Sequence, residues 1–333
     1  MHPMLRARAE RRFGLFTTAE AIATGYGPSE IRNLCATGRW VRVRRGVLIS
    51  ASDLAAGEQQ GRRHDLDCLA VLMSLGRTTA FVSHSSAARL WRLPVPRSLD
   101  PTIRLTDTEQ WRRGRDWRMV CAPLAPSERW RSGPVRLTSA ARTLVDCARE
   151  WPLEDAVIAM DAAVLTEQTN LDELRSGAAA VRHWPGASRA MRAAGLADGR
   201  AESPLETRGR LRIVGAGLRK PELQVEIRVG GRLLAVVDGW FEEAAVAVEC
   251  DGQVKYTDPW RARSPERVLW EEKRREDELR SLDIRFVRIA DADVSPGRWP
   301  EVERRLRELL ASPGPAIRRF TAIPRMRGVS RTA

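Results

Sequence analysis

The chain has 333 residues, of which 43% are hydrophobic and 30% charged, so it is long enough for two or three globular domains and too apolar to be disordered. Its five cysteines are scattered without a CxxC pair, which excludes a cysteine zinc site and fits reduced thiols. No apolar stretch approaches the length of a membrane span, and the amino end lacks a signal-like apolar region. We therefore expect a cytoplasmic protein that does not bind membranes.

Charge is distributed unevenly along the chain, whose formal net charge is +13. Residues 1–50 contain nine arginines against three glutamates, whereas residues 201–290 contain 17 basic and 17 acidic residues. A basic excess favours a polyanionic partner, so the amino end predicts DNA binding and the carboxyl part predicts a site of mixed charge. A coding bias towards arginine is the alternative, because only three of the 56 basic residues are lysine.

The amino end, residues 1–52, predicts a winged helix-turn-helix. Thr17 and Thr18 can cap a short helix, Pro28 opens a second helix, and apolar and basic residues then alternate around Arg45 and Gly46 as in a hairpin. The second helix would offer side chains to a DNA groove and the wing would offer arginines to phosphates. The predicted contacts are Arg32 and Asn33 on the helix and Arg42, Arg44 and Arg45 on the wing. A small helical module with solvated arginines is the alternative.

Residues 53–175 predict a mixed α/β domain, with a helix over 63–75, strands over 102–106 and 117–121, and a helix that begins near Ser139. His84 stands beside three serines, but no GxSxG turn accompanies it, so a structural role is favoured over a hydrolase site. Residues 176–202 are rich in alanine, glycine and arginine and are predicted to form a helical linker.

The carboxyl part, residues 203–312, has a clearer order of predicted elements. A helix begins at Ser203, three strands follow, and a long helix over 265–282 precedes a last strand over 285–290. The order α-β-β-β-α-β is typical of a restriction-endonuclease-like core. The expected fold class is thus α/β multidomain, with residues 313–333 as a basic tail.

Three carboxylates stand at the ends of neighbouring predicted strands. Asp238 ends one strand, and Glu249 and Asp251 end the next, where alternation places both on the same face. Carboxylates in such a place need a cation or hydrogen bonds, and oxygen ligands suit Mg²⁺. We predict that Asp238, Glu249 and the Cys250 carbonyl bind Mg²⁺, that Asp251 binds the ion or orients water, and that Glu206 adds a further contact. The alternative is an ion-pair network with Arg274, Arg275 and Arg288.

Two of the three lysines lie close to these acids along the chain. Lys255 follows the acidic strand end, and Lys273 lies on the predicted long helix. A lysine has a compact charge and a tunable pKa that arginine lacks, which suits a residue beside an attacking water. Ordinary surface charge is the alternative, with Lys273 paired to Asp277.

The carboxyl part resembles the PD-(D/E)XK nuclease superfamily, closest to the very-short-patch-repair (Vsr)-like endonuclease-related domains of unknown function. The resemblance rests on SPLETRGRL, VVDGWF, VAVECDG, EKRREDELR and FVRI, between Ser203 and Val294. It implies that Asp238 and Glu249 bind the metal. The chain departs from the superfamily pattern at Asp251, which stands where a lysine is expected, and this puts catalysis in doubt unless Lys255 or Lys273 supplies the charge.

Residues 13–175 resemble the AbiEi-type antitoxin family of type IV toxin–antitoxin systems. The resemblance rests on TTAEAIATGYGPSEIRNL, WVRVRRGVL, SHSSAARLW and LTSAARTLVDCAR. It implies an amino-terminal winged helix that binds DNA as a repressor, with a cognate toxin or a second copy of this chain as protein partner. The family places an antitoxin domain at its carboxyl end, whereas this chain places a nuclease-like domain there, so the antitoxin role does not transfer directly.

Two functions follow from these observations and remain open at this point. The first is Mg²⁺-dependent endonuclease cleavage of DNA phosphodiesters, in repair or phage defence, with RNA as another substrate to consider. The second is a non-enzymatic transcriptional regulator or antitoxin whose nuclease fold is degenerate.

Overall fold

The structure, a computed structural model, describes residues 1–251 and 274–325. The chain divides into two compact units, Met1–Gly195 and Leu196–Ala333, and each unit contains helices and mixed or antiparallel sheets. The expected α/β multidomain class is therefore confirmed at that level. The division into five segments that the sequence suggests stays a prediction.

The first unit begins with three helices and a small sheet. Its elements are α1 (Pro3–Glu10), β1 (Phe16–Thr17), α2 (Thr18–Ala23), α3 (Pro28–Ala36), β2 (Trp40–Arg44) and β3 (Val47–Ser50). The strands form an antiparallel sheet in the order β1-β3-β2. The two predicted helices and the hairpin are confirmed as elements, and α1 is an addition, because its arginine-rich sequence shows only Leu5 and Ala9 as an apolar face.

Local chemistry explains why these short elements hold. Thr17 and Glu20 form a capping box in which the Thr17 hydroxyl accepts the Glu20 N–H and the Glu20 carboxylate accepts the Thr17 N–H. Pro28 occupies the first turn of α3, where no intrahelical donor is lost. The rings of Phe16 and Trp40 meet edge to face with centroids 4.8 Å apart. Both rings share a buried core with Leu5 of α1 and Ile31 of α3, which joins the helices to the hairpin.

The rest of the first unit is built on a six-stranded mixed sheet in the order β6-β7-β5-β4-β9-β8. Its strands are β4 (Ala80–Val82), β5 (Ile103–Asp107), β6 (Arg112–Arg113), β7 (Trp117–Cys121), β8 (Arg129–Ser132) and β9 (Val135–Thr138). Its helices are α4 (Ala51–Gln59), α5 (Arg63–Leu75), α6 (His84–Leu90), α7 (Ala140–Ala148), α8 (Leu153–Leu165), α9 (Leu171–Ala180) and α10 (Ala187–Leu196), with a 3₁₀ turn at Pro126–Glu128. The predicted helix over 63–75 is confirmed.

The stretch predicted as a helical linker is largely helical, and its helices α9 and α10 have buried faces. The fully or almost fully buried alanines are Ala178, Ala187, Ala190, Ala193 and Ala194. A side chain as small as alanine lets a helix approach its neighbour closely, so these helices pack as part of a core.

The second unit carries a five-stranded sheet in the order β13-β12-β11-β10-β14. Its elements are α11 (Pro204–Gly215), β10 (Glu222–Val229), β11 (Arg232–Phe241), β12 (Val246–Asp251), β13 (Arg285–Ala290), α12 (Trp299–Leu310) and β14 (Thr321–Pro324), and residues 274–280 are helical. Strands β10 to β12 are antiparallel, whereas β12 and β13 are parallel. The described elements follow the predicted order, although most of the long helix predicted over 265–282 lies outside the described residues.

Helices cover both faces of this sheet. Leu205 of α11 and Leu306 of α12 share a core with Val248 on one face. Leu279 shares the other core with Ala247 and Phe286. The inner strands are thereby buried on both sides, which explains why β12 reads as a nearly continuous apolar run up to its acidic end.

No helix within the described residues is long and apolar enough to cross a membrane.

Candidate functional site

The predicted DNA contacts of the amino end lie on α3 and on the β2–β3 hairpin, and most of them face solvent. Arg32 and Asn33 are exposed on α3, where the Arg32 guanidinium donates to the Ser29 hydroxyl at 2.7 Å. Arg42 and Arg45 are exposed on the hairpin. The chain thus presents a helix and a basic hairpin on the surface of one small segment.

Arg44 differs from the other predicted contacts because a carboxylate already engages it. Its guanidinium donates to both oxygens of Asp116, at 2.8 and 2.7 Å. This hydrogen bonding from Arg44 lowers the pKa of Asp116 below its usual range. The two-point contact fixes the hairpin against the turn before β7, so Arg44 positions the hairpin rather than standing open to a phosphate.

Sequence reasoning missed one basic residue of this surface. Arg39 follows the end of α3 and is exposed directly before β2. Its position in the sequence is the signal that could have identified Arg39, because it stands directly before Trp40, the buried first residue of the hairpin.

In the second unit, the acidic cluster forms where the pairing of three strands is interrupted. Strands β11 and β12 pair from Gly239 to Phe241, and the carboxylate of Asp238 then accepts the Cys250 N–H at 2.8 Å. A side chain therefore replaces the backbone partner at this point of the ladder. Cys250 itself lies opposite Ile289 in the parallel β12–β13 pair.

Gln224 bridges two of the predicted acids and was not found from the sequence. Its backbone has φ +52°, a left-handed conformation that is uncommon for a residue with a side chain, and it lies within β10 between Leu223 and Val225. Its amide nitrogen donates to Glu206 Oε2 at 3.0 Å and to Asp238 Oδ1 at 3.3 Å. Strain of this kind persists where the surroundings enforce it, often at functional sites. No periodicity in the sequence signals it.

Glu206 has a raised pKa within this cluster. Burial, followed by the charge of Asp238, raises the pKa of Glu206 to about 6. The carboxylate accepts the Glu202 N–H at 2.8 Å in addition to the Gln224 amide. Two neighbouring acids whose charges oppose one another are a recurrent feature of functional sites.

Glu249 joins the cluster from the end of β12 and faces two arginines. Burial raises the pKa of Glu249, and the charges of Asp238 and Asp251 add to that rise, while Arg275 and Arg288 oppose it. Arg275 Nη2 lies 3.7 Å from Glu249 Oε1, and Arg288 Nε lies 3.8 Å from Glu249 Oε2. Arg288 Nε also lies 3.8 Å from Asp251 Oδ2. The structure therefore brings the three strand-end acids near one another, and two arginines of the predicted alternative network, Arg275 and Arg288, lie against Glu249 and Asp251.

The described residues do not by themselves fit a Mg²⁺ site. Across residues 1–251 and 274–325, no three His, Cys, Asp or Glu side chains are grouped so as to hold a metal ion. Asp238 already accepts two hydrogen bonds, and Glu249 faces two guanidiniums, so protein groups meet the charge that a cation would neutralise. The predicted ligands Asp238, Glu249 and the Cys250 carbonyl stay a prediction. Lys255 and Lys273 lie outside the described residues.

His84 does not form a hydrolase site with the serines beside it. Its Nδ1 lies 2.8 Å from the Ser83 hydroxyl, which also accepts the Thr106 hydroxyl at 2.8 Å. Ser83, His84 and Thr106 are all buried, so no substrate reaches them. Burial, aided by the charge of Arg104, lowers the pKa of His84 to about 4. The imidazole is a neutral part of the core.

Comparison with known families gives a match at the amino end. Residues 3–51 match the family described as "Transcriptional regulator, AbiEi antitoxin". The match covers α1 to β3, the segment that presents α3 and the basic hairpin, and it supports the AbiEi part of the sequence resemblance.

Curated relatives and solved structures add little about function. Two uncharacterised Mycobacterium tuberculosis proteins, MT2308 of strain CDC 1551 / Oshkosh and Rv2248 of strain ATCC 25618 / H37Rv, are each 32% identical over 163 residues. The alignment covers 48% of this chain and 58% of each relative, so the chain spans less than two thirds of the length of the curated relatives it matches. The crystal structure of RV2827C protein from M. tuberculosis aligns with a TM-score of 0.38 at 16% identity, over 62% of this chain and 78% of that one.

Proposed function

We propose that this chain is a DNA-binding transcriptional regulator of the AbiEi antitoxin kind. One observation carries the proposal: the residues that match this family are the residues that fold into the helices and the basic hairpin. The net charge of +6 over residues 1–50 supports a polyanionic partner for this segment.

The arrangement of the segment supports a winged helix-turn-helix. Helices α2 and α3 are joined through Gly25 and Gly27, and a two-stranded hairpin follows α3. In such a domain, α3 enters the major groove and the hairpin lies along the phosphates. Arg32 and Asn33 are then the base readers, and Arg42 and Arg45 hold the backbone.

We propose that the second unit is a restriction-endonuclease-like core, of the Vsr-like kind, that has become non-catalytic. The order of its described elements and the meeting of Glu206, Asp238 and Glu249 support the core. The contacts of Arg275 and Arg288 with Glu249 support the loss of catalysis, because the two guanidiniums lie beside the carboxylate that a catalytic cation would bind. A cognate toxin remains a proposed partner of the regulator.

DNA binding is tested with the full chain and a duplex that carries the promoter region of its own gene. Anisotropy should report binding that weakens as salt rises, because arginine–phosphate contacts release counterions. A shuffled duplex of equal length should bind more weakly. Affinity that is independent of salt, or absent for both duplexes, would remove the proposal.

Endonuclease activity is the second candidate, and the coupled acids favour it. The raised pKa of Glu206 and the bridge through Gln224 are features that a purely structural ion-pair network does not need. Nicking of supercoiled DNA with added Mg²⁺ tests this candidate, with Asp238→Asn as the matched variant. We expect no nicking by either protein. Nicking by the unmodified chain that Asp238→Asn abolishes would make the chain an enzyme, with Lys255 or Lys273 as the proposed source of positive charge.

A further inference from the structure

A cavity of about 470 Å³ lies in the first unit between the amino-terminal segment and the six-stranded sheet. Its lining includes Arg12 and Glu20 of the amino-terminal segment, Arg131 and Arg136 of the sheet, and the apolar side chain of Leu69. This volume falls within the usual range for small-molecule sites. The mixture of arginines and apolar side chains suits a ligand that has both an anionic group and an apolar organic group.

The charges around the cavity are not balanced by the protein. Arg12 pairs with Glu20 at 2.9 Å, and Arg77 pairs with Asp107 at 2.7 Å. By contrast, no carboxylate of the described residues lies within ion-pairing distance of Arg131 or Arg136.

Arg136 is held in place without being neutralised. Its Nε donates to the Ala80 carbonyl at 3.3 Å and its Nη2 to the Arg77 carbonyl at 2.5 Å. Burial lowers the pKa of Arg136, and the charge of Arg131 lowers it further. Arg131, which lies opposite Arg136 in the β8–β9 pair, is exposed, so the two neighbouring positive charges are open to an anion from solvent.

We propose that this cavity binds a small phosphorylated ligand, whose phosphoryl group is held by Arg131 and Arg136. A phosphate monoester carries about −1.5 to −2 charges near neutral pH, which matches the two unbalanced guanidiniums. The planar guanidinium of Arg131 can donate two parallel hydrogen bonds to such a group, and Arg136 adds its Nη1, because its Nε and Nη2 already donate to backbone carbonyls.

A neighbouring cavity accounts for the rest of the ligand. It has a volume of about 450 Å³, shares Arg131 and Arg136 with the first, and is lined also by the rings of Phe81 and Trp130. The Trp130 side chain is 53% exposed on the edge strand β8. The Trp130 ring, which packs against Trp91 with centroids 5.8 Å apart, offers an apolar surface for an organic group attached to the phosphate, whereas the Phe81 ring is 8% exposed and lies under the Arg129 guanidinium.

Glu20 gives the site a built-in opposing charge. It is the one carboxylate among the described residues that line the first cavity, and it holds Arg12. Burial would raise the pKa of Glu20, but the Thr17 N–H and the Arg12 charge outweigh it and hold the pKa below the usual range. The Glu20 carboxylate is therefore negatively charged and repels a phosphate in the cavity, so removal of this charge should increase the affinity for the ligand.

The test is titration calorimetry of the full chain with phenyl phosphate, with phenol and inorganic phosphate as separate probes. Three variants accompany it: Arg131→Gln in the site, Glu20→Gln on its wall, and Arg113→Gln as the control. Arg113 is exposed on β6 at the opposite edge of the same sheet, so its change removes the same charge elsewhere. Glutamine also serves in a capping box, so Glu20→Gln keeps the start of α2.

We expect saturable binding of phenyl phosphate that Arg131→Gln weakens by about tenfold or more, because a charge-assisted contact is lost. Glu20→Gln should tighten binding and Arg113→Gln should leave it unchanged, while inorganic phosphate binds more weakly and phenol does not bind. Absence of binding by the unmodified chain, equal losses in Arg131→Gln and Arg113→Gln, or equal binding of phenol would overturn the proposal. These results do not depend on whether the chain binds DNA.

Discussion

The two units of this chain manage charge in opposite ways. The first unit places unbalanced arginines where solvent or a ligand reaches them, as at Arg42, Arg45 and Arg131. The second unit gathers carboxylates at the interrupted end of a buried sheet and meets them with amides and guanidiniums. The first arrangement attracts anions from a distance. In the second, neighbouring carboxylates repel one another within the fold, which raises their pKa values.

This contrast separates the proposed DNA-binding segment from the proposed non-catalytic nuclease-like core. Exposed cations cost little in stability and act on a partner. Buried acids with raised pKa values cost stability, and proteins keep them where function demands or once demanded them.

The largest effect is expected on DNA affinity. The double change Arg42→Gln with Arg45→Gln should weaken binding at about 150 mM salt by roughly tenfold or more, and the slope of log affinity against log salt should fall by about 2. Anisotropy over a salt series measures both quantities.

Arg304→Gln is the control for this double change, because Arg304 is an exposed arginine of the second unit already paired with Glu301 and Glu308. An equal loss of affinity in that variant would show that net charge alone, and not the hairpin, governs binding.

The next effect concerns the stability of the first unit in acid. The pKa of His84 is about 4 in the fold and 6.5 in the unfolded chain, so the unfolded chain binds more protons between these values. The contribution of neutral His84 to the free energy of unfolding is complete above the unfolded pKa of 6.5 and is lost as pH falls from 6.5 towards the folded pKa of about 4. The free energy of unfolding should therefore drop by about 2 kcal/mol between about pH 7 and pH 5.

Hydrogen exchange of peptides from the first unit measures this drop. The variant His84→Asn, in which asparagine tolerates the left-handed backbone at φ +49°, should lack it. A drop of the same size in the variant would assign the acid sensitivity to other groups.

A smaller effect of opposite sign is expected in the second unit. The pKa of Glu206 rises from 4.5 to about 6 on folding, so the folded chain binds more protons in this window and stability is lost as pH rises through it. Glu206→Gln removes the charge and keeps an oxygen that accepts the Glu202 N–H. The variant should stabilise the unit by about 1 to 2 kcal/mol above pH 6 and by nothing near pH 4. Denaturant-dependent hydrogen exchange tests it, and destabilisation at both pH values would contradict the expectation.

The smallest effect isolates one cause of that raised pKa. Asp238→Asn removes the neighbouring charge but leaves Glu206 buried, so the pKa of Glu206 should fall towards its usual range without reaching it. Titration of the Glu206 carboxyl carbon by NMR measures the change. An unaltered pKa would mean that burial alone sets it.

The sequence predicted most of the elements near these sites because local chemistry sets them. The helix cap at Thr17 and the proline that opens α3 are short-range signals, and each forms as expected. Alternation predicted that Glu249 and Asp251 lie on the same face of their strand, which agrees with their shared neighbour Arg288.

The features that the sequence did not predict depend on distant contacts. The sequence does not distinguish Arg44 from Arg42, because the hydrogen bonds that engage Arg44 come from Asp116, 72 residues away. Gln224 has a left-handed backbone conformation within a strand. The surrounding strands enforce this conformation, and the residue type gives no sign of it in the sequence. The cavity at Arg131 and Arg136 arises from the packing of two segments far apart in the chain, and a charge count does not reveal which arginines are balanced.

The most direct test of the regulator proposal is the salt dependence of binding to the promoter duplex, measured for the full chain and for the Arg42→Gln, Arg45→Gln double variant. The account predicts tight binding whose salt slope is reduced by about 2 in the double variant, with the shuffled duplex bound more weakly by both proteins. Equal affinity and equal slope for the two proteins would contradict the account, because the hairpin would then take no part in binding DNA.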